Sequence, residues 1–259
     1  SYAEHAGGKG LNQAIAAARS GARVALVAAV GDDAAGSTLR SLAADDGVDV
    51  TAVAVLAGET TGRALITVDE HAENSIVVVP GANANMRART TPTARVVIAQ
   101  LEVPVDEVIS AFRHAREAGA RTVLNPAPAQ TLPDELVRLC DIVVPNEHEA
   151  DLIGGVSALL ALGVSAVVTT LGAAGVVVTE SVDGVVGSWS EPAVEVMPVD
   201  TTGAGDAFCG ALAARLAAGD ELRDAVRYAA AAGALATTVA GAVPSLPHSA
   251  AVLAITHPR

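Results

Sequence analysis

The chain has 259 residues, about half of them apolar, with alanine and valine dominant and aromatics at only 2 %. That length can bury a full core, either in one large α/β domain or in two small ones. With 16 basic and 29 acidic residues the formal charge is −13, which argues against the basic, aromatic-studded face of a nucleic-acid binder.

In chain order, Gly8–Ser20 has the spacing of a helix, with Leu11, Ala14, Ile15 and Ala18 on one face and Gly21 placed to end it. Arg23–Val30 is a buried strand closed by the turn Gly31-Asp32-Asp33, and Ala34–Ala44 is a second helix. Strands follow at Val48–Leu56, Arg63–Val68 and Ser75–Val79, the last two forming a hairpin around residues 69–74. Beyond Pro80, strands at Val96–Leu101, Arg121–Leu124, Asp141–Val144 and Ala166–Thr170 alternate with helices at Val105–Ala118, Pro133–Leu139 and Glu147–Ile153. This is the alternation of right-handed βαβ units, hence a mostly parallel sheet with helices on both faces. Only Ser157–Leu162 is left to complete the crossover into Ala166, fewer residues than such a connection normally takes. Gly175–Thr179, Val182–Trp189 and Val194–Met197 read as a meander, followed by helices Ala207–Ala218, Leu222–Val239 and Ser249–Ile255. The most apolar stretch, Ala225–Val243, is broken by Arg227, Tyr228, Gly233, Thr237 and Thr238 and reads as a core helix, so no membrane span is expected. Cys140 and Cys209 have no disulfide spacing, which suits a reducing, cytoplasmic setting, and no His pair has zinc spacing.

Asp200-Thr201-Thr202-Gly203-Ala204-Gly205-Asp206 carries the chemistry best. Small residues opening a helix offer free backbone N–H groups to an anion. A carboxylate at the mouth of that cradle, Asp206, repels phosphate, so its presence suits a group that takes a proton from an attacking hydroxyl. Taken alone, the passage is equally a helix start capped by aspartates. A second glycine motif, Gly7-Gly8-Lys9-Gly10-Leu11-Asn12-Gln13, also runs into a helix. It follows no visible strand and lacks dinucleotide spacing, so a nicotinamide enzyme is a poor reading.

Together the two motifs resemble the paired signatures of the ribokinase-like carbohydrate kinases. Gly31-Asp32-Asp33, Pro80-Gly81-Ala82-Asn83, Gln100-Leu101-Glu102, Asn125-Pro126-Ala127-Pro128-Ala129, Pro145-Asn146-Glu147-His148-Glu149 and Thr170-Leu171-Gly172-Ala173-Ala174-Gly175 fit the same family, in its order. The resemblance implies one α/β domain over 1–259, with a central mostly parallel sheet flanked by helices on both faces. A small β lid would form from about residues 1–6 and 61–81. A strand and loop that normally precede the first motif, and bring an Asn and an Asp to the sugar, would be missing.

The implied activity is transfer of the γ-phosphoryl of ATP to the 5-hydroxyl of ribose, favoured over other sugars by Asn125–Ala129 and Gln100–Glu102. Asp206 would be the base, with the N–H groups of Gly203, Ala204, Gly205 and Asp206 as the anion hole. Gly7, Gly8, Lys9, Asn12 and Glu102 would line the sugar, and Leu11 departs from the alanine usual at its position. Asn146 and Glu149 would place Mg2+ and phosphate, and Thr170, Leu171, Gly172, Ala173, Ala174 and Gly175, with Gly205, would contact the nucleotide. Asp200, Thr202, Ala236, Val239, Gly241 and Ser245 would hold a monovalent cation, usually K+. A homodimer through the lid is implied as well. Plainer readings stand beside these: Asn146 as a helix N-cap with acidic neighbours, 170–175 as a hairpin turn, and Asp200 as a turn residue. At the level of the whole chain the alternatives are a kinase of another sugar or a nucleoside, or a ligand-binding relative without turnover.

Overall fold

A computed structural model describes residues 5–68, 74–88 and 92–257. The elements run α1 (Lys9–Arg19), β1 (Ala28–Gly31), α2 (Ala34–Asp45), β2 (Val53–Leu56), β3 (Arg63–Val68), β4 (Asn74–Val79), β5 (Val96–Ala99), α3 (Val105–Glu117), β6 (Arg121–Leu124) and α4 (Asp134–Arg138). They continue through β7 (Ile142–Val143), α5 (Glu147–Leu152), α6 (Val156–Ala161), β8 (Ala166–Thr170), β9 (Val176–Val182), β10 (Val185–Glu191), α7 (Ala204–Ala218), α8 (Leu222–Ala236), α9 (Ala242–Ser245) and α10 (Ser249–Thr256).

Six strands form one sheet in the order β10-β9-β8-β7-β6-β5. Strands β5 to β8 are parallel, and β9 and β10 close it antiparallel. Alternate side chains feed two cores. Val123, Ile142, Val144, Val168 and Val178 meet α7, α8 and α10 on one face. Leu124, Val143 and Val167 meet α3, α4 and α6 on the other. Period-two alternation of apolar residues on both faces is what helices on both sides require.

Several boundaries differ from the sequence reading. The strand expected at 23–30 is a ladder only over Ala28–Gly31, although Ala25 still bridges to Asp49 before β1 pairs in parallel with β2. That pair makes its own two-stranded sheet. The tight interval before β8 is filled by two one-turn-scale helices, α5 and α6, joined at Gly154-Gly155, both at positive φ. Val194–Met197 forms no strand: β10 stops at Glu191 because Pro192 has no N–H for a ladder. Helix α8 ends at Ala236 rather than 239, where the hydroxyls of Thr237 and Thr238 turn back onto the carbonyls of Ala234 and Leu235. Helix α7 begins at Ala204, three residues before the expected start, so the glycine turn itself supplies the first helical turn.

The hairpin at 61–81 is present as the antiparallel pair β3–β4, a sheet separate from the others. Its tip at 69–73 lies outside the described residues, as does the lid strand expected at 1–6 over residues 1–4; His5 and Ala6 form no strand.

Helix α7 is buried nearly all round, from Asp206 through Ala214, so it is built of small residues that let neighbours approach. Gly210 marks the closest approach. A Cβ there would fall 2.6 Å from the Ala16 Cβ and closer still to the Gln13 carbonyl. This contact presses the middle of α1 against the middle of α7, and their preceding glycine motifs lie at one end of the helix pair.

Candidate active site

The carboxyl ends of β5, β6, β7 and β8 open on one side of the sheet, where ligands of open α/β sheets collect. A cleft of about 370 Å³ lies there. Of the expected residues it is lined by Lys9, Asn146, Glu149, Thr170, Gly172, Gly203, Gly205 and Asp206. Leu171, Ala173, Ala174, Gly175 and Ala204 belong to the same loops but not to this lining.

Asp206 sits in the first turn of α7 and is 8 % exposed. Its Oδ2 accepts the Asn12 side-chain amide at 2.8 Å, and its Oδ1 accepts that of Gln13 at 3.0 Å. Burial raises the Asp206 pKa above the ordinary carboxylate value, against the opposing pull of the Asn12 amide, the Lys9 charge and the Gln13 amide. A carboxylate removed from water does not keep the ordinary acidity of an exposed aspartate.

Gly203 precedes α7 in the left-handed region, φ 79°, which a residue with a side chain rarely adopts. Among the described residues, the N–H groups of Gly203, Gly205 and Asp206 have no protein acceptor, whereas that of Ala204 bonds to the Thr201 carbonyl. Three of the four expected anion-hole donors are therefore free, and the Ala204 N–H is turned to its own loop. A helix start with unpaired N–H groups suits a phosphate group.

On the α1 side, the Lys9 N–H donates to Glu102 Oε2 at 2.9 Å, and Gly8, at φ 121°, leaves an added Cβ only 3.9 Å from the same oxygen. Burial raises the Glu102 pKa as well, with the Lys9 N–H and charge opposing and Asp206 adding to the rise. Gly7 lies against Asn12, whose Oδ1 is buried with no hydrogen-bond partner. A buried amide oxygen without a donor is costly unless a ligand supplies one. A sugar hydroxyl is such a donor.

Asn146 and Glu149 form a reciprocal capping box on α5: Asn146 Oδ1 accepts the Glu149 N–H at 2.7 Å and Glu149 Oε2 accepts the Asn146 N–H at 2.9 Å. The plain capping role is thus real, but both residues also face the cleft. Each keeps one polar atom, the Asn146 amide N and Glu149 Oε1, outside the box. The free Glu149 oxygen, in an exposed position, fits a hydrated divalent cation, whereas the Asn146 NH2 suits a phosphate oxygen. Asn146 bridges to Thr170, so this turn and the 170–175 loop are adjacent.

Of the expected cation residues, Asp200, Thr202 and Gly241 are joined by hydrogen bonds. Asp200 Oδ1 accepts the Thr202 N–H at 2.9 Å and Oδ2 accepts the Gly241 N–H at 2.8 Å. These bonds, with the Gly241 one strongest, lower the Asp200 pKa. The Ala236 and Val239 carbonyls accept no hydrogen bond among the described residues. Ser245 Oγ instead donates to the Ala242 carbonyl. Uncommitted carbonyls beside an ionised carboxylate are the hard oxygen donors that fit a monovalent cation. Among the described residues no cluster of three His, Cys, Asp or Glu could hold a metal.

Five cleft residues were not anticipated as contacts: Asn125, Ala127, Val144, Thr201 and Cys209. Gln13, also missed, lies behind the cleft. The signal for Gln13 was present in the adjacent polar pair Asn12-Gln13 inside an otherwise apolar helix; both are buried because α1 is enclosed on several sides from Leu11 to Ala17.

A family model described as "pfkB family carbohydrate kinase" matches residues 1–249. The chain is 40 % identical over 96 % of its length to a bifunctional ribokinase/ribose-5-phosphate isomerase A of Fructilactobacillus sanfranciscensis, and spans about half (49 %) of that longer relative. It is 39 % identical over 93 % of its length to a ribokinase of Haemophilus influenzae, covering 84 % of it. The structure of Arabidopsis thaliana ribokinase complexed with ribose and ATP superimposes with a TM-score of 0.88 at 29 % identity, covering 98 % of this chain and 88 % of that one. With a family match over nearly its whole length and relatives at this identity, the chain belongs to the pfkB family of carbohydrate kinases.

Proposed function

We propose that this protein is a ribose kinase that transfers the γ-phosphoryl group of ATP to the 5-hydroxyl of ribose. The observation that carries the reading is the 2.8 Å bond from Asn12 to Asp206, across 194 residues of sequence. It joins the hydroxyl-binding motif to the carboxylate at the anion cradle. The relatives named ribokinase, and the likeness to a ribokinase complexed with ribose and ATP, support ribose over other sugars.

In this reading the sugar lies against Gly7, Gly8, Asn12 and Glu102, its hydroxyls satisfying the unpaired Asn12 oxygen. Asp206 takes the hydroxyl proton as that oxygen bonds to the γ-phosphorus and the bond to the bridging oxygen of ADP breaks. The N–H groups of Gly203, Gly205 and Asp206, with Lys9, receive the charge on the transferring group. The nucleotide runs along Asn146 and the 170–175 loop. A magnesium ion, held through water near Asn146 and Glu149, would supply charge neutralisation of the phosphates. A potassium ion held by Asp200 and the carbonyls near Ala236 and Val239, with Thr202, Gly241 and Ser245 around it, would stiffen the turn before α7.

The lid hairpin would cover the sugar and pair with a second copy. Leu65, Val77 and Val79 on one face and Val78 on the other are exposed apolar residues, which supports two buried faces. No described helix is long and apolar enough to cross a membrane. The free cysteines support a reducing, cytoplasmic setting.

A coupled assay of ADP release against a panel of pentoses, hexoses and nucleosides, with and without K+, tests this. Ribose should give the highest kcat/KM; a nucleoside or ketohexose ranking above it would reject the substrate assignment.

A further inference from the structure

Gln13 has no role in the reaction as described, yet it is 2 % exposed and touches the proposed base. Its Nε2 lies 3.0 Å from Asp206 Oδ1 and 3.0 Å from Asn125 Oδ1. The Asn125 Nδ2 in turn lies 3.0 Å from the Val144 carbonyl oxygen. A backbone carbonyl only accepts, so Asn125 must turn its NH2 toward Val144 and its oxygen toward Gln13. That oxygen also only accepts, so Gln13 must present its own NH2, one hydrogen going to Asn125 and the other to Asp206. The direction of every bond is set from the Val144 backbone, and the last acceptor is Oδ1.

The other carboxylate oxygen is under no such constraint. Oδ2 faces the Asn12 amide, whose own oxygen is buried without a partner. Asn12 can therefore exchange its two ends, donating to an ionised Oδ2 or accepting from a protonated one. Gln13 cannot.

We propose that Gln13 is a positioning residue that keeps Asp206 Oδ1 a permanent acceptor and thereby directs the proton of the attacking hydroxyl to Oδ2. This rests on the phosphotransfer reading above. The hydroxyl O–H breaks, its electron pair forms the bond to the γ-phosphorus, ADP departs with the bridging oxygen's pair, and the proton is received on Oδ2. Asn12 then turns its oxygen to the new O–H, and the sugar hydroxyl that had donated to that oxygen accepts the Asn12 NH2 instead. The charged and titratable groups around Asp206 are Lys9 from α1, Glu102 beyond β5, Glu149 on α5 across the cleft, and Cys209 on α7 itself, whose thiol burial pushes well up. Lys9 favours the ionised carboxylate and Glu102 disfavours it, so removing the Gln13 donor should tip the balance toward protonation.

The test is the pH dependence of kcat/KM for ribose in Gln13→Met and Gln13→Glu, with ATP binding measured by calorimetry. Gln13→Met should move the acid limb up by about one pH unit and lower kcat roughly 10-fold, with ATP affinity within about threefold of wild type. Gln13→Glu, which brings a second carboxyl against Oδ1, should move the limb further. An acid limb unmoved in a folded, ATP-binding Gln13→Met would overturn the proposal. If that variant does not fold, Asn125→Leu, which frees the orientation of Gln13, must move the limb in the same direction, and an unmoved limb there overturns it equally. A wild-type chain that phosphorylates no sugar would instead overturn the reading on which the proposal rests.

Discussion

Asp200 and Asp206 stand at the two ends of one glycine turn, yet their surroundings drive them in opposite directions. Asp200 is partly exposed and its oxygens accept backbone N–H groups from Thr202 and Gly241, which lowers its pKa. Asp206 is buried and its oxygens accept only side-chain amides, from Asn12 and Gln13, and its pKa is raised. The N–H groups of Gly203, Gly205 and Asp206 have no acceptor among the described residues, the Asp206 carboxylate included. Backbone donors are fixed dipoles that hold a carboxylate ionised. Of the two side-chain amides, that of Asn12 can turn, and leaves Oδ2 able to gain and lose a proton. One aspartate is thereby a staple, and the other has the surroundings that the proposed base requires.

The largest expected effect separates the two by chemistry. Asp206→Asn should lower kcat by roughly 10³–10⁴-fold while leaving ATP affinity within a few-fold, as read by steady-state kinetics and calorimetry. The same substitution should stabilise the fold. A raised pKa means that the native state favours the protonated form: its contribution to stability is full below the unfolded value of 3.8 and is lost as pH rises through the folded one. At neutral pH the neutral amide removes that penalty, with the unpaired oxygen of Asn12 available to receive its N–H, and Tm should rise by about 2 °C. A fall in Tm would mean that the buried carboxylate is held ionised without penalty.

Next in size is the contact that delivers the amides. Gly210→Ala places a methyl against the α1 backbone at Gln13 and the Ala16 side chain, and should cost about 3 kcal/mol in denaturant unfolding. Activity should fall with it, because Asn12 and Gln13 move with α1. Unchanged stability would mean that the two helices are not in close contact. In the wild type, the acid limb of kcat/KM should lie above the usual aspartate range, the direction set by burial of Asp206. A limb at or below 3.8 would reassign the base.

Asp200→Ala should have a smaller effect, about 1 kcal/mol from the lost turn bonds, together with loss of activation by K+. If K+ activation persists, the cation does not bind there. The smallest effect comes from a third aspartate of the Asp200 kind. Asp33, at the N-cap of α2, accepts the Thr61 hydroxyl and N–H and the Gly36 N–H, and its pKa falls from 3.8 to about 2. Its contribution is present above 3.8 and is lost as pH falls toward about 2, so an Asp33→Asn variant should flatten the acid-side loss of stability over that window.

Much of this was legible in the chain. The alternation Val123-Leu124 and Ile142-Val143-Val144 announces strands with two buried faces, and the small-residue run after Asp200 announces a helix start. Asp206, Lys9 and Asn12 stood out as candidates because their residue types at a glycine turn suit proton and hydroxyl chemistry, and the fold brings Asn12 and Asp206 into contact. Gln13 and Asn125 were not identifiable as partners, since an amide shows its use only through its neighbours. The end of β10 at Pro192 was visible but outweighed by the apolar run that follows it.

What the sequence alone determines are properties carried by near neighbours: periodicity, glycine turns, and the residue types that can bind, cap or accept a proton. What only the tertiary structure decides is which of two aspartates on one turn is removed from water and which direction each amide must face. Burial and hydrogen-bond polarity are set by atoms brought in from α1, β6 and β7. Gln13 and its partner Asn125 are 112 positions apart in the chain, and no local pattern encodes their meeting.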